Sequence, residues 1–166
     1  MIPFQDIKQA NARFASAFQD KLASILDSGM TVLGNEVLAF ERDFAKYCGT
    51  TYCVGVANGL DALTLILRAY IELGKLKAGD EVIVPANTYI ASILSVSYAG
   101  LVPVPVEPEE HTFNLDAASV EKAITPKTRA VMAVHLYGRL ANMEQLSRIC
   151  EAQNLILIED AAPHQS

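Results

Sequence analysis

The sequence has few of the features that mark membrane, secreted or metal-binding proteins. Its 166 residues contain no apolar run approaching the ~20 residues that a membrane-spanning helix needs. The first residues lack the basic-then-apolar pattern of a secretory signal. The three cysteines show no CxxC spacing, which a zinc site or a redox motif would favour. These absences predict a reduced, cytoplasmic protein.

Positive charge is also in deficit. Lysine and arginine total 13 against 19 aspartate and glutamate residues, which gives a net charge of −6. This net negative charge argues against nucleic acid or an anionic membrane as a partner. The hydrophobic fraction is 51% and the mean hydropathy is +0.23. These values predict either a large core or an apolar surface that meets a partner.

Strand and helix patterns alternate through most of the chain. The alternation predicts βαβ units, and therefore an α/β fold with three α-β-α layers around a mostly parallel sheet. Two further helices are predicted before these units, and the whole chain is interpreted as a single unit of N-terminal helices (1–50) and βα repeats (51–166). The predicted helices are 11–28, 36–47, 61–73, 88–99, 117–124 and 143–154, and the predicted strands are 52–57, 81–84, 102–106, 130–135 and 155–160.

The last predicted strand ends in two carboxylates. Four consecutive branched aliphatic residues, 155–158, run into Glu159 and Asp160 without polar alternation, which predicts a strand buried on both faces. In open parallel sheets, ligands bind outside the carboxyl ends of the strands. Asp160 is therefore expected to face a ligand crevice, where a buried carboxylate needs a cation or hydrogen-bond donors. A structural partner such as an arginine would meet this need, and a ligand cation suits the location at least as well.

Two predicted strand-to-helix turns carry further candidate residues. The turn Asn58-Gly59 precedes a helix whose free N–H groups could bind an anion, although Gly59 could simply make the turn while Asp61 caps the helix. Tyr89 lies just inside another helix, where it could stack on a planar ligand. The alternative is that Tyr89 only packs and Thr88 caps the helix.

Two other groups of polar residues favour structural interpretations. His135, at the end of a predicted strand, is more typical of a hydrogen-bonded structural histidine than of a base, and no cysteine or serine motif pairs with it. Glu107, Glu109, Glu110 and His111 cluster between prolines without a second set of ligands, so a solvated loop is favoured over a metal site. No metal is therefore expected.

Together, the candidates suggest a phosphate cradle, an aromatic ring and a carboxylate for a ring cation. This set suits a planar phosphate cofactor with a protonated nitrogen, and pyridoxal 5′-phosphate (PLP) is the familiar example. A nicotinamide-binding Rossmann protein is disfavoured, because Asn58-Gly59 is not part of a GxGxxG motif.

The same residues carry a family resemblance. The chain resembles the N-terminal part of the DegT/DnrJ/EryC1/StrS family of PLP-dependent sugar aminotransferases, which implies the aspartate aminotransferase fold (fold type I). The resemblance extends over nearly the whole chain, through the motifs Ile2-Pro3-Phe4, Gly34-Asn35-Glu36-Val37, Phe40-Glu41 and Glu159-Asp160-Ala161-Ala162.

Within the family, the chain is most similar to the branch that acts on nucleotide-linked 3-keto-6-deoxyhexoses. The resemblance rests on 58–63, 87–91 and 135–138. It implies transfer of an amino group, usually from glutamate, to the sugar ketone, in the synthesis of amino sugars for surface polysaccharides or antibiotics. It also implies a homo-oligomer, typically a dimer.

The resemblance assigns roles to five residues. The backbone at Gly59, Leu60 and Asp61 would hold the PLP phosphate. Tyr89 would stack on the pyridine ring, and Asp160 would pair with the protonated ring nitrogen, which keeps the ring an acceptor of electrons.

The chain departs from the family pattern in two ways. Pro163 stands where the family usually has a glutamine. The Schiff-base lysine is expected beyond Ser166, as are the remaining strands of the large domain and the small domain, and none of the seven lysines present occupies its context. We therefore expect a truncated chain that is inactive alone or binds PLP weakly without a covalent bond. An alternative from another class is a non-catalytic half-domain that serves as an assembly module.

Overall fold

The structure, a computed structural model, describes residues 6–162. The chain divides into two compact units, Met1–Gly55 and Val56–Ser166, called here the N-terminal and C-terminal units. The motif Ile2-Pro3-Phe4 and the departure at Pro163 lie outside the described residues. Within 6–162, no helix is both long and apolar enough to cross a membrane.

The N-terminal unit is helical. It contains α1 (Ile7–Ala12), α2 (Ala15–Ser28) and α3 (Asn35–Cys48). The helix predicted over 11–28 is confirmed as α2 from Ala15 onwards. Its predicted start was wrong, because the N–H of Phe14 bonds to the carbonyl of Asn11, three residues back, in a tightened turn that interrupts the α-helix. The helix predicted at 36–47 is confirmed as α3, which ends at Gly49 in the left-handed conformation (φ 68°).

The C-terminal unit alternates strands and helices. A parallel sheet forms here because a helix after each of the first three strands returns the chain to the edge where the strands begin. A 3₁₀ turn at Leu136–Gly138 follows the third strand. The elements in order are α4 (Gly59–Glu72), β1 (Glu81–Pro85), α5 (Ile90–Tyr98), β2 (Val102–Val106), α6 (Ala117–Ala123), β3 (Thr128–Val134), α7 (Met143–Gln153) and β4 (Ile156–Asp160).

The sheet has four strands in the order β2-β1-β3-β4, and all neighbours are parallel. Each face has its own core. Leu67 of α4 and Val96 of α5 pack with Met132 on one face, while Leu146 of α7 packs with Val131 on the other. The predicted three-layer α/β class is confirmed.

Two strand predictions need correction. Residues 52–57 form no strand, and Tyr52 and Val54 are exposed, because no described strand pairs with this segment. Strand β4 is not buried on both faces, because it lies at the edge of the described sheet and pairs with β3 alone. Ile158 and Asp160 are buried, but Glu159 between them is exposed.

Candidate functional site

A cavity of about 690 Å³ lies at the carboxyl edge of the sheet, in the C-terminal unit. Parallel pairing brings the end of β4 and the segment after β1 to this edge, and α4 begins beside them. Gly59, Leu60, Tyr89 and Asp160, four of the five predicted site residues, line the cavity. The fifth, Asp61, lines a neighbouring open groove with Arg68. The other lining residues are Asn58, Leu63, Ile90, Ala91, Ser92, Leu94 and Ala162.

The start of α4 supplies the candidate anion site. Asn58 caps the helix, since its Oδ1 accepts the N–H of Asp61 at 2.9 Å and its Nδ2 donates to Asp61 Oδ2 at 3.0 Å. The alternative in which Asp61 caps the helix was therefore wrong. Gly59 and Leu60 hold the first helical positions, where N–H groups have no acceptor within the helix. Two donors and the positive end of a 14-residue helix thus meet the cavity.

Glycine at position 59 keeps this end of the cavity open. A Cβ atom at Gly59 would lie 3.0 Å from the Cβ of Ala162, which is closer than ordinary carbon contacts. Any side chain here would occupy space between the helix start and the segment after β4. The glycine therefore does more than make a turn, because it leaves room for a ligand against the backbone.

Asp160 is a buried carboxylate whose charge no described side chain balances. It is 5% exposed. Its Oδ2 accepts the hydroxyl of Ser92 at 2.8 Å, and its Oδ1 accepts the N–H of Ala162 at 3.1 Å. None of the ion pairs formed within residues 6–162 includes it. A buried anion with donors but no cation is suited to bind a cationic ligand group in the cavity.

Ser92 belongs to the site, and sequence reasoning missed it. It is 1% exposed and contacts the carboxylate from 68 residues away in sequence. Its hydroxyl oxygen also lies 2.9 Å from the hydroxyl oxygen of Thr88. A signal was present, since Ser92 follows Tyr89 by three residues, which places both on the same side of a helix.

Tyr89 lies at the rim of the cavity as the N-cap of α5, with 71% of its surface exposed. Its ring is therefore accessible to a planar ligand. The alternatives in which Thr88 caps this helix and Tyr89 only packs were wrong, because Thr88 contacts Ser92 and the Tyr89 ring is exposed. Stacking of the ring on a ligand stays a prediction.

His135 is buried and has protein contacts at both ring nitrogens. It is 2% exposed, and its Nδ1 accepts the N–H of Ala141 at 3.2 Å. This bond assigns the proton to Nε2, which lies 3.2 Å from Glu159 Oε2 and donates to it. Both ring nitrogens are occupied by protein partners, which favours the structural interpretation over the catalytic one.

The acidic cluster at 107–111 shows no metal-binding geometry. Within the described part of the chain, no three His, Cys, Asp or Glu side chains converge as ligands would. Glu109 instead accepts a hydrogen bond from the hydroxyl of Thr112. This bond ties the loop to itself.

The cavity fits PLP at three points. N–H donors at the start of α4 suit its phosphate, the buried Asp160 suits its protonated ring nitrogen, and the exposed Tyr89 ring suits its planar face. No lysine is among the residues that line the cavity. The described residues that line the cavity would therefore contact such a group without a covalent bond.

Comparison with known proteins agrees with this geometry. The chain is 54% identical to dTDP-3-amino-3,6-dideoxy-alpha-D-galactopyranose transaminase from Aneurinibacillus thermoaerophilus, over 98% of the chain and 44% of that protein. The crystal structure of DesV from S. venezuelae matches with a TM-score of 0.90 and 48% identity, over 97% of this chain and 42% of that one. NtdA from Bacillus subtilis, solved with bound PMP, matches with a TM-score of 0.88 and 32% identity, over 96% and 36%.

The comparisons show how much of a relative's length this chain spans and to which family it belongs. The chain spans 44% of the length of the Aneurinibacillus transaminase. The model of the DegT/DnrJ/EryC1/StrS aminotransferase family matches residues 13–164, which include the cavity and all five predicted site residues. The chain belongs to the DegT/DnrJ/EryC1/StrS aminotransferase family.

Proposed function

We propose that this chain contributes the PLP site of an aminotransferase that transfers an amino group to a nucleotide-linked 3-keto-6-deoxyhexose. The observation that carries the proposal is Asp160, a carboxylate buried at the cavity without a cationic partner among residues 6–162. The name of the Aneurinibacillus relative, a dTDP-linked 3-amino-3,6-dideoxy sugar transaminase, supports the sugar class.

Four of the residues that line the cavity contact the cofactor in this proposal. The N–H groups of Gly59 and Leu60 bind the phosphate, because the first turn of α4 presents donors and positive potential. Tyr89 covers one face of the ring, and Asp160 holds the proton on the ring nitrogen. PLP, when bound, supplies a protonated ring that accepts electron density from the carbon being deprotonated. The backbone N–H of Asp61, which was also predicted to hold the phosphate, is bonded to Asn58 Oδ1. Asp61 therefore acts in this proposal by holding Asn58, and with it the phosphate-binding turn.

The donor, the assembly and the location complete the proposal. Glutamate is the proposed amino donor and a homo-oligomer the proposed assembly, both from the family resemblance. The three free cysteines support a reducing compartment such as the cytoplasm. The assembly-module alternative is not favoured, because the similarity to the Aneurinibacillus transaminase extends over 98% of the chain.

Cofactor binding tests the role of Asp160 directly. The variant Asp160→Asn keeps an acceptor for Ser92 but removes the charge. We expect it to bind pyridoxamine 5′-phosphate (PMP) at least about tenfold more weakly, because a charge-assisted hydrogen bond is lost. The measurement is a calorimetric titration of the chain with PMP.

The adjacent carboxylate provides the matched control. Glu159 is exposed and contacts His135 instead of the cavity. Glu159→Gln is therefore expected to change the PMP affinity less than about twofold, since substitutions away from the site have small effects. Equal affinities for the Asp160→Asn variant and the unsubstituted chain would contradict the proposed role.

The covalent state of the cofactor can be tested separately. Because no lysine lines the cavity, we expect borohydride reduction of the chain with PLP to leave no phosphopyridoxyl group on a specific lysine. Peptide mapping by mass spectrometry makes the measurement. Stoichiometric labelling of one lysine would show that the chain carries its own covalent anchor.

The sugar is tested on the whole protein with a dTDP-linked 3-keto-6-deoxyhexose and L-glutamate. The proposal predicts a 3-amino sugar and 2-oxoglutarate in equal amounts, both detected by mass spectrometry. A 4-keto isomer and UDP- and GDP-linked substrates serve as comparisons. Turnover of only the 4-keto isomer would overturn the assigned position of the amino group.

A further inference from the structure

We infer that Ser92 is a positioning residue that holds the carboxylate of Asp160 in the orientation needed to bind a protonated ring nitrogen. The inference rests on the proposed function, since it concerns the same cavity. It adds a residue to which neither the sequence motifs nor the family resemblance assigned a role. Ser92 lies on α5, and Asp160 lies at the end of β4.

The hydrogen bonds have a definite direction. An ionised carboxylate only accepts hydrogen bonds, so the hydroxyl of Ser92 must donate to Asp160 Oδ2 across the 2.8 Å contact. The proton of Ser92 is then committed, so Thr88 must donate across the 2.9 Å contact between the two hydroxyl oxygens. The two hydrogen bonds therefore run in one direction, from Thr88 to Ser92 and from Ser92 to the carboxylate.

These hydrogen bonds affect the carboxylate strongly because the groups that form them are buried. Ser92 is 1% exposed and Asp160 is 5% exposed, so little water reaches either group. Removal of the Ser92 hydroxyl would leave Asp160 Oδ2 without its protein donor in a partly desolvated site, which is more costly than the same loss at a surface. The carboxylate could then rotate away from the ligand to find another donor.

Helix α5 carries both Tyr89, which would contact the ring, and Ser92, which holds the carboxylate that would bind the ring nitrogen. Tyr89 is its N-cap and Ser92 lies three residues later in its first turn, and both line the cavity. One rigid element therefore sets the position of the aromatic face and, through Ser92, the direction of the carboxylate. Such preorganisation avoids the cost of orienting the carboxylate when the ligand binds.

A neighbouring serine provides the control. Ser95 is also buried on α5, at 0% exposure, but its hydroxyl donates to the backbone carbonyl of Ser92 at 2.7 Å and does not contact Asp160. Ser92→Ala and Ser95→Ala remove the same atom from buried sites one turn apart. Ser92→Thr retains a hydroxyl and is the rescue variant.

The experiment compares two ligands on each variant. One is PMP, and the other is its carbocyclic analogue in which CH replaces the ring nitrogen. We expect Ser92→Ala to weaken PMP binding about five- to tenfold, as for loss of one hydrogen bond to a charged group, and to weaken binding of the analogue less than about twofold. Ser92→Thr should restore most of the PMP affinity. Ser95→Ala should affect the two ligands equally. Calorimetric titration gives the dissociation constants.

The outcomes separate this inference from the proposed function. An equal loss for both ligands in Ser92→Ala, or no loss for PMP, would overturn the positioning role, because a general loss of folded protein weakens both ligands alike. If Ser92→Ala does not fold, Thr88→Val replaces it and should show a smaller loss confined to PMP. Failure of the unsubstituted whole protein to bind PMP would instead overturn the proposed function, and this inference with it.

Discussion

Helices α2 and α4 have the same length but opposite relations to a core. Each has 14 residues and an apolar stripe. Helix α4, in the C-terminal unit, buries Leu63 and Leu67 against the sheet, whereas α2, in the N-terminal unit, buries no residue. Apolar periodicity therefore predicts that a segment is helical, but the presence of a surface to pack against decides whether its stripe stabilises the fold.

Truncation of one leucine in each helix should show the largest difference. Leu67 is 0% exposed and Leu22 is 58% exposed. We expect Leu67→Ala to lower the free energy of unfolding by about 2–5 kcal/mol, because it leaves a cavity in the core. Leu22→Ala should change it by less than about 0.5 kcal/mol. Urea unfolding followed by circular dichroism measures both, and similar losses would show that the α2 stripe is covered in solution.

The thiols of the two units should differ in reactivity. Burial, and to a lesser extent the charge of Glu151, raises the pKa of Cys150 from 9.0 to about 11, whereas Cys48 is exposed. Two pKa units lower the thiolate fraction near neutral pH about 100-fold. Iodoacetamide should therefore modify the exposed Cys48 at least about tenfold faster than the buried Cys150, whose thiol is both less ionised than an ordinary thiol and less accessible. Mass spectrometry of the peptides gives the rates, and the difference should disappear in denaturing urea.

The raised pKa of Cys150 also gives a sign for the pH dependence of stability. The folded state favours the neutral thiol, so the stabilisation is present below pH 9.0 and is lost as the pH rises towards about 11. Cys150→Ala should remove this alkaline loss. An unchanged alkaline slope in that variant would show that other groups cause it.

Two aspartate caps provide the smallest expected difference. Asp116 caps α6 and accepts hydrogen bonds from the N–H and hydroxyl of Ser119, which lower its pKa from 3.8. Asp116→Ala should cost about 1 kcal/mol at neutral pH. Since the folded pKa is the lower one, this contribution is present above pH 3.8 and disappears as the pH falls through the lowered value.

The matched cap in the N-terminal unit is Asp6, which accepts the N–H of Gln9 at 2.9 Å at the start of the six-residue α1. Asp6→Ala should cost less than about 0.5 kcal/mol, because a short helix without buried residues adds little to stability. Urea midpoints at neutral and acid pH compare the two variants. A larger loss for Asp6→Ala would reverse the ranking of the two units.

The sequence predicted the four strands of the sheet. It did not predict which strand lies at the edge or which segment lacks a strand to pair with. The run at 81–84 predicted a strand because its apolar residues are continuous, and β1 pairs on both sides. Residues 52–57 show a similar pattern but form no strand, since strand formation also needs a partner that a local pattern does not reveal. Glu159 likewise looked buried from the aliphatic residues before it, yet β4 is an edge strand among the described residues.

The candidate site divides in the same way. Gly59, Tyr89 and Asp160 could be proposed from single turns and strand ends, because parallel strands place such positions at one edge. The contact between Ser92 and Asp160 could not, since it joins residues 68 positions apart and depends on where α5 lies relative to the end of β4. Contacts between distant elements follow from tertiary packing, which a short motif does not encode.

The protonation state of the bound ring nitrogen reports directly on whether Asp160 binds a cation. The claim is that the buried carboxylate of Asp160 binds a cationic ring nitrogen in the cavity. The measurement is the nitrogen-15 chemical shift of PMP, labelled at the ring nitrogen and bound to the chain, at mildly alkaline pH. We expect a protonated nitrogen in the unsubstituted chain and in Glu159→Gln, and a neutral one in Asp160→Asn. A neutral ring nitrogen in the unsubstituted chain would contradict it.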